Sequence, residues 1–486
     1  MKFSSLFKDM AIYGLGDVLL KMFSIITLPI YTRIFSPEDF GILTSIVTFS
    51  ALFSQVIELG INSAFARFYF QAESLYERQK VTSTALFFIT IWSIVAAGCM
   101  IPFAGIFSRW FFQTEKYNPL LILSLFATSL ALINGFTSQI LRNQFKAKLF
   151  AILNTTSSFL GIGLSLLFIL VYKQGILGFF LANLVVNIGM IPIRYWLIKE
   201  SIILFWSWQI LKSLMVYGIP LIPMSIAYWV FVSSDRLIIG KLSTFDQLGL
   251  YSVANNISNI LGFLNSALGQ AFSPYAIKHH EENRETSGLL LGKCLTYIVA
   301  FFGLLCLGLS TFSLDLIKIL STVDFYPAAI AVGPLSLGFV AFASTQVTAL
   351  GITLSNQTYY FVLFSWISAL LNLALNILLV PSFGMLGASW ATAFSYIFLT
   401  ICYGIKSKNL IKIQYETSQL LKITVITVIG TVMIPFLPDS SFIINLIIKS
   451  IYCLIYVILI ILFQGIKNED VNFLWSRASA IIEKIK

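Results

Sequence analysis

Charge is what this sequence has least of. Only 11% of its 486 residues are Asp, Glu, Lys or Arg, where a soluble domain carries about 25%. With 58% hydrophobic residues and a mean hydropathy of +0.88, the composition excludes an ordinary soluble domain. Histidine is nearly missing. His279 and His280 are adjacent in KHHEENRE, a charged segment, and neighbours in sequence do not share a helix face, so they read as a solvated loop. No H-E-x-x-H, G-x-S-x-G or G-x-x-x-x-G-K-[ST] occurs, so neither a familiar hydrolase site nor a P-loop is written in the chain, and it is not expected to be an enzyme. The five cysteines (Cys99, Cys294, Cys306, Cys402 and Cys453) are odd in number and lack C-x-x-C spacing. They read as small apolar fillers, with no disulfide or metal framework. No block of clustered Lys and Arg is present, so nucleic acid is not an expected partner. MKFSSLFKDM leads directly into a full-length apolar run without a short core and A-x-A site, so no cleavable signal peptide is expected.

What the sequence does have is long apolar runs. A membrane-crossing helix needs about 20 mostly apolar residues. Such runs fall at 11–33, 40–61, 83–107, 119–140, 149–172 and 176–198. They continue at 214–240, 247–271, 289–312, 329–352, 360–380 and 384–404, with a last pair at 421–437 and 442–464. The expectation is an all-α integral membrane protein of about 14 helices. An even number puts both termini on one side. With that side taken as cytoplasmic, the inner segments hold about 22 Lys and Arg, Arg194 among them, and the outer loops about 7. That bias follows the positive-inside rule, so most of the net charge of +10 is topogenic.

The chain is written twice. LFKDMAIYG (Leu6–Gly14) matches ILKSLMVYG (Ile210–Gly218), and SPEDFGIL (Ser36–Leu43) matches TFDQLGLY (Thr244–Tyr251), at offsets of 204 and 208. Tyr117 matches Tyr326, Gly175 matches Gly384 and Gly178 matches Gly387, all at offset 209. Each copy holds six spans, so the copies insert with the same orientation. Secondary transporters with such parallel repeats commonly bind substrate between them. The expected organisation is a six-helix bundle over 1–200, an amphipathic linker helix over 201–215, a second bundle over 216–410, and a terminal helix pair with a cytoplasmic tail over 411–486.

Against this apolar background the intramembrane charges stand out, since each costs about 2.5–3.5 kcal/mol at mid-membrane on insertion scales. Asp17 and Lys21 lie four residues apart on one face of the first span. Their repeat positions hold Leu221 and Ser225, so the pair serves the first half alone and is the first candidate for a cavity-lining role. Glu58 has Gln55, Asn62 and Arg67 close along the chain, and Arg33 and Arg236 sit at matching outer ends of the lead spans. Asp235 adjoins Arg236 and, as its immediate neighbour, is not expected to face it. Lys449 is expected to snorkel toward the interface. Asn134, Gln139, Asn183, Asn187, Asn255, Asn256, Asn259, Asn265, Gln270, Asn372 and Asn376 give several spans a polar stripe. Interhelical hydrogen bonds would use most of these, and a minority would line a cavity. Pro29, Pro220 and Pro223 are the candidate hinges, because proline removes a helical donor.

LPIYTRIFSPEDFGIL (Leu28–Leu43), SSDRLIIG (Ser233–Gly240), LGLYSVANNI (Leu248–Ile257), FYPAAIAVGPLSLG (Phe325–Gly338) and FGMLGASWAT (Phe383–Thr392) together resemble the polysaccharide transporter, or O-antigen flippase (Wzx-like), family. That family belongs to the multidrug/oligosaccharidyl-lipid/polysaccharide exporter superfamily. The resemblance covers the whole chain. It implies a V-shaped, MATE-like pair of bundles in the bacterial inner membrane that flips a polyprenyl-diphosphate-linked oligosaccharide to the outer leaflet by alternating access. Lys21, Arg33, Arg67 and Arg236 are then candidates to neutralise the diphosphate, since charge-assisted hydrogen bonds to phosphate are the strong ones. Membrane lipid, a polysaccharide polymerase and a chain-length regulator are the implied partners. No cofactor is expected, and H⁺ or Na⁺ is the candidate coupling ion. Two other readings compete. One is a cation-coupled drug or metabolite antiporter of the same superfamily, with Asp17 and Glu58 as ion sites. The other is a non-transporting membrane scaffold of a polysaccharide synthase complex.

Overall fold

The computed structural model describes residues 27–437 and 442–463; Asp17 and Lys21 lie outside the described residues. Every regular element among them is helical. The first helix is described over 27–34 (α1), with Pro29 inside it. Ser36 then caps α2 (Pro37–Ile57): its hydroxyl accepts a hydrogen bond from the Asp39 amide at 3.1 Å, and Pro37 occupies the first turn, both strong helix-start signals. α3 (Ile61–Gln71) follows a three-residue turn. α4 (Leu75–Phe112) opens on a capping box between Ser74 and Glu77. α5 (Asn118–Asn143), α6 (Ala147–Leu166) and α7 (Gly175–Leu197) come next, with α6 ending in a π turn, Leu167–Val171.

The segment between the repeats is a 3₁₀ turn (Lys199–Ser201), six non-helical residues (202–207) and α8 (Trp208–Gly218). α8 buries Leu211 and Leu214 and exposes Trp208. Pro220 sits in a 3₁₀ turn, Ile219–Leu221, that separates α8 from α9 (Ile222–Leu242), and Pro223 lies in the first turn of α9. The expected interruption is therefore present at Pro220. After α10 (Phe245–Glu282) come α11 (Arg284–Thr311), the short α12 (Ser313–Leu320), α13 (Ala329–Thr348), α14 (Leu350–Leu354), α15 (Tyr359–Ile411), α16 (Thr417–Met433) and α17 (Phe442–Leu462).

Among the described residues eleven helices are long and apolar enough to cross a membrane. One of them, α15, is two arms joined at Gly384, where the backbone leaves the helical region. α10 is a further long helix, made less apolar by Asn255, Asn256, Asn259, Asn265 and Gln270. With the span expected over 11–33, the plan is that of a membrane protein of about 14 helices.

The internal repeat has a physical basis in the backbone. Thr244 caps α10 as Ser36 caps α2, accepting from the Gln247 amide at 3.2 Å. Gly175 and Gly384 are both left-handed, with φ of +55° and +53°, a conformation that disfavours residues with a Cβ. The repeat therefore preserves the residues that start helices and turn them.

The chain forms two compact units, Met1–Gly249 and Leu250–Lys486, with the boundary inside α10. In the first unit, α4, α5 and α7 pack around Phe65, Leu86, Phe136, Ile140 and Leu141, all essentially inaccessible. A second cluster, Ile42, Ile46, Phe111, Leu121 and Phe180, fills the region around the start of α2. In the second unit α13 is the central helix, with every residue from Ala331 to Gly338 buried. The terminal pair α16 and α17 closes on α11 through Phe302, Cys306, Leu307, Ile423 and Tyr456.

In the first unit α2 is held against the α8–α10 segment by backbone contact at both of its ends. A Cβ added to Gly41 would lie 1.9 Å from the Phe245 carbonyl oxygen, and one on Gly249 would lie 2.0 Å from that of Pro37. At the other end, a Cβ on Gly60 would meet the Gly218 oxygen at 2.3 Å, and one on Gly218 the Leu59 oxygen at 2.5 Å. Backbone cannot yield as a side-chain tip can, so Gly249→Val is expected to destabilise the protein by about 1–3 kcal/mol, the usual cost of overpacking. Gly98→Ala, where a Cβ meets nothing within 4 Å among the described residues, is the control and should melt no lower than wild type. Thermal unfolding in detergent, followed by intrinsic fluorescence, measures both, and a Gly249→Val protein as stable as wild type would contradict the close backbone contact.

Candidate functional site

The most polar region of the first unit lies where α5, α6 and α7 meet. Asn134 and Ser138 are four apart on α5, Asn154 and Ser157 three apart on α6, and Asn183, Asn187 and Arg194 follow at four and seven on α7. Such spacings put each set on one helix face. Arg194, counted from the sequence among the inner-side cations, instead folds into the bundle and is only 2% exposed. Its Nη1 donates to the Asn134 carbonyl oxygen at 3.1 Å and to Ser138 Oγ at 2.5 Å. Its Nη2 donates to Asn154 Oδ1 at 2.9 Å and Ser157 Oγ at 3.1 Å. Nε is buried without an acceptor, and no carboxylate pairs with this guanidinium among the described residues. Asn134 Nδ2 donates to both the carbonyl and the side-chain oxygen of Asn187 at 3.0 Å, and Asn187 donates to the Asn183 carbonyl oxygen at 2.8 Å. The stripe asparagines of α5 and α7 are thus one network, and beside it lies a residue that the sequence counted among the inner-side cations.

A cavity of about 400 Å³ borders this network, lined by Thr27, Tyr31, Ser157, Ser158, Asn183, Asn187 and the edge of Phe179. Tyr31 hydrogen-bonds Ser165 at 2.7 Å and meets the Phe179 ring edge-on at 5.8 Å. Aromatic faces beside convergent polar groups are the usual lining of a small-molecule site.

The other candidates are dispersed. Arg33 is exposed and returns to its own helix, donating to the Pro29 carbonyl oxygen at 2.7 Å. Glu58 ends α2 and accepts from the Asn62 side chain and amide. It forms no ion pair with Arg67 among the described residues. Arg67 instead lies over the Tyr217 ring, 4.6 Å from its centroid, a cation–π contact from α3 to α8. Asp235 and Arg236 do face each other, contrary to the sequence expectation. Asp235, 4% exposed, accepts from the Arg236 amide at 2.8 Å and lies 4.0 Å from its guanidinium. The side chain of Arg236 folds back along its helix to donate to the Val232 carbonyl oxygen at 3.1 Å, which lets adjacent residues meet.

Lys449 corrects a further expectation. It does not snorkel; its ammonium is buried and donates to Asp315 Oδ2 at 2.5 Å. The pair ties the terminal helix α17 to α12, and Lys449 lines a cavity of about 500 Å³ with Ser310, Thr311, Trp390 and Asn445. No local signal in the sequence links residues 134 positions apart.

Residues 30–329 match the model of a family described as polysaccharide biosynthesis protein. The chain belongs to that family. Its relatives include the "Probable low-salt glycan biosynthesis flippase Agl15" of Haloferax volcanii, 26% identical over 220 residues, 44% of this chain and 46% of that protein. An Lsg locus protein of Haemophilus influenzae is 26% identical over 281 residues, 55% of this chain and 65% of its own. The chain therefore spans about half to two-thirds of the length of these curated relatives. The fold is also that of a lipid II flippase, MurJ, in an inward closed conformation, with a TM-score of 0.70 and 14% identity over 92% of this chain and 97% of the other. An inward-facing multidrug resistance MATE transporter of the MOP superfamily gives a TM-score of 0.60 at 16% identity, over 82% and 98%. The helical membrane fold expected from the sequence is thus one this chain shares with these solved structures.

In this polysaccharide biosynthesis protein the Lys449–Asp315 pair makes a stability prediction. Removing one partner of a buried pair strands the other charge, at about 3–5 kcal/mol in full burial. Asp315 is 24% exposed, so Lys449→Met is expected to cost about 2–3 kcal/mol. The double variant Lys449→Met/Asp315→Leu should recover most of that loss. Melting curves of the two singles and the double measure the coupling, and additive losses would show that the pair does not interact.

Proposed function

We propose that this protein flips a polyprenyl-diphosphate-linked oligosaccharide from the cytoplasmic to the outer leaflet of the bacterial inner membrane, for surface polysaccharide biosynthesis. The observation that carries the reading is the family match over 30–329 on a chain with the fold of a lipid II flippase. The chemistry agrees with it. A lipid-linked glycan combines a long apolar tail, a diphosphate and several sugar hydroxyls, and the two charged or polar parts cannot cross hydrocarbon unaided. The chain offers a polar interior on α5–α7 around Arg194, and further cations dispersed at Arg33, Arg67 and Arg236. Lys21, on the first span, joins these as a candidate for the diphosphate. Alternating access would work through the proline-interrupted lead helices, at Pro29, Pro220 and Pro223. H⁺ or Na⁺ is the proposed coupling ion, and a polymerase and chain-length regulator would consume the flipped repeat unit. Both termini would be cytoplasmic, in keeping with the Lys and Arg bias of the loops. O-antigen is the surface glycan proposed.

The test is reconstitution in proteoliposomes with a fluorescent polyprenyl-diphosphate-linked oligosaccharide and a membrane-impermeant quencher. Protein-dependent exchange between leaflets is expected, and Arg236→Ala should slow it at least tenfold, the effect of about 1.4 kcal/mol on the translocating state, at unchanged protein level. No protein-dependent exchange, together with uptake of a cationic dye driven by a H⁺ or Na⁺ gradient, would replace this reading with the drug antiporter.

A further inference from the structure

Arg194 brings a full positive charge into the space between α5, α6 and α7. Four hydrogen bonds from its two Nη groups end on neutral oxygens, of Asn134, Ser138, Asn154 and Ser157, and its Nε–H has no acceptor. A charge buried this deeply normally has a counter-charge beside it; among the described residues this one has none. One of its acceptors, Ser157, is also part of the wall of the 400 Å³ cavity. The guanidinium therefore lies one hydroxyl behind a polar pocket that no Asp, Glu, Lys or Arg lines among the described residues. The Ser157 hydroxyl already donates to the Leu153 carbonyl oxygen, so it faces Arg194 as an acceptor and leaves the cation's field directed into the cavity.

We propose that this cavity is a subsite for an anionic oxygen group of the translocated molecule. Arg194 supplies the charge as a positioning residue behind the wall, and Asn183, Asn187 and Tyr31 make the direct contacts. Asn183 and Asn187 each use one side-chain N–H on a carbonyl of their own helix, and an amide has two. The second N–H of each is the donor the anion would take. The proposal rests on the glycan-flipping reading, which supplies two sources of such oxygens: the diphosphate of the carrier and the carboxylate of an acidic sugar.

The experiment is equilibrium titration of the purified full-length protein in nanodiscs with three probes: inorganic pyrophosphate, glucuronate and the neutral glucose. Wild type should bind at least one anion about tenfold tighter than glucose, a modest effect for a fixed charge seen through protein. A glucuronate preference assigns the site to an acidic sugar, and a pyrophosphate preference to the carrier. Arg194→Gln should erase the preference while Arg194→Lys keeps it, a pattern that loss of a merely structural arginine would not produce. Equal affinity for all three probes in wild type, binding of none of them, or a preference that survives Arg194→Gln would overturn the subsite. Should Arg194→Gln fail to fold, Asn183→Leu serves in its place: it should weaken anion binding, and unchanged anion affinity would overturn the subsite. The proteoliposome assay separates the two readings. Translocation without anion preference removes the subsite alone, whereas anion preference without translocation removes the flippase reading.

Discussion

Inside a membrane bundle every polar group must find its partner within the protein, because hydrocarbon offers none. That constraint shapes the first unit. Arg194 can be buried only because α5 and α6 each present an oxygen-bearing face toward it. Those faces exist because Asn and Ser recur at helical spacing. The asparagine chain from Asn134 through Asn187 to Asn183 then fixes the rotation of α7 relative to α5. The same network that holds the guanidinium also forms one wall of the cavity. Packing and polarity are therefore two readings of one arrangement.

Much of the fold was legible because it rests on local rules. Helix starts at Ser36 and Thr244, with the amides of Asp39 and Gln247 as their acceptors' donors, follow from cap chemistry. The left-handed Gly175 and Gly384 were visible as a matched pair at one offset before their backbone angles were known. Span count and the break at Pro220 came from hydrophobic length and a missing amide. What was not legible depends on tertiary contact. Lys449 has no nearby acid in sequence, and only the folding of α17 beside α12 brings it to Asp315. Arg194 stands at the end of a span, where a cation usually reaches for the interface, so its burial could not be read from its position alone. Its spacing of seven from Asn187 was the available signal. Asp235 and Arg236 were read as diverging because only ideal side-chain directions were considered; the arginine's return toward Val232 removes that objection.

The two units treat their buried lysine and arginine in opposite ways. In the second, Lys449 is matched one to one by Asp315, the arrangement expected of an ion pair that fastens helices. In the first, the partners of Arg194 among the described residues are dipoles alone. Hydrogen bonds spread over four neutral groups hold the cation in place and leave its net charge standing. An ion pair would cancel that charge over the same volume. A residue selected only to join α5, α6 and α7 would be served as well by a glutamine, which supplies donors without the desolvation cost of a cation.

The repeat makes the same point independently. At offset 209, the register that pairs Gly175 with Gly384, Arg194 corresponds to Tyr403, Asn187 to Tyr396 and Asn183 to Thr392. Tyr403 is buried like Arg194 but is satisfied by a hydroxyl contact with Ser365 at 3.2 Å. One position of one fold is thus filled by an uncharged aromatic in the second copy and by a cation in the first. Asp17 and Lys21 follow the same rule, with Leu221 and Ser225 at their repeat positions. Architecture common to both copies explains the caps, the turning glycines and the tight backbone crossings; it does not explain charges that only one copy keeps. A buried cation at this position in the first copy alone is therefore a feature of that copy and not of the fold the two copies share.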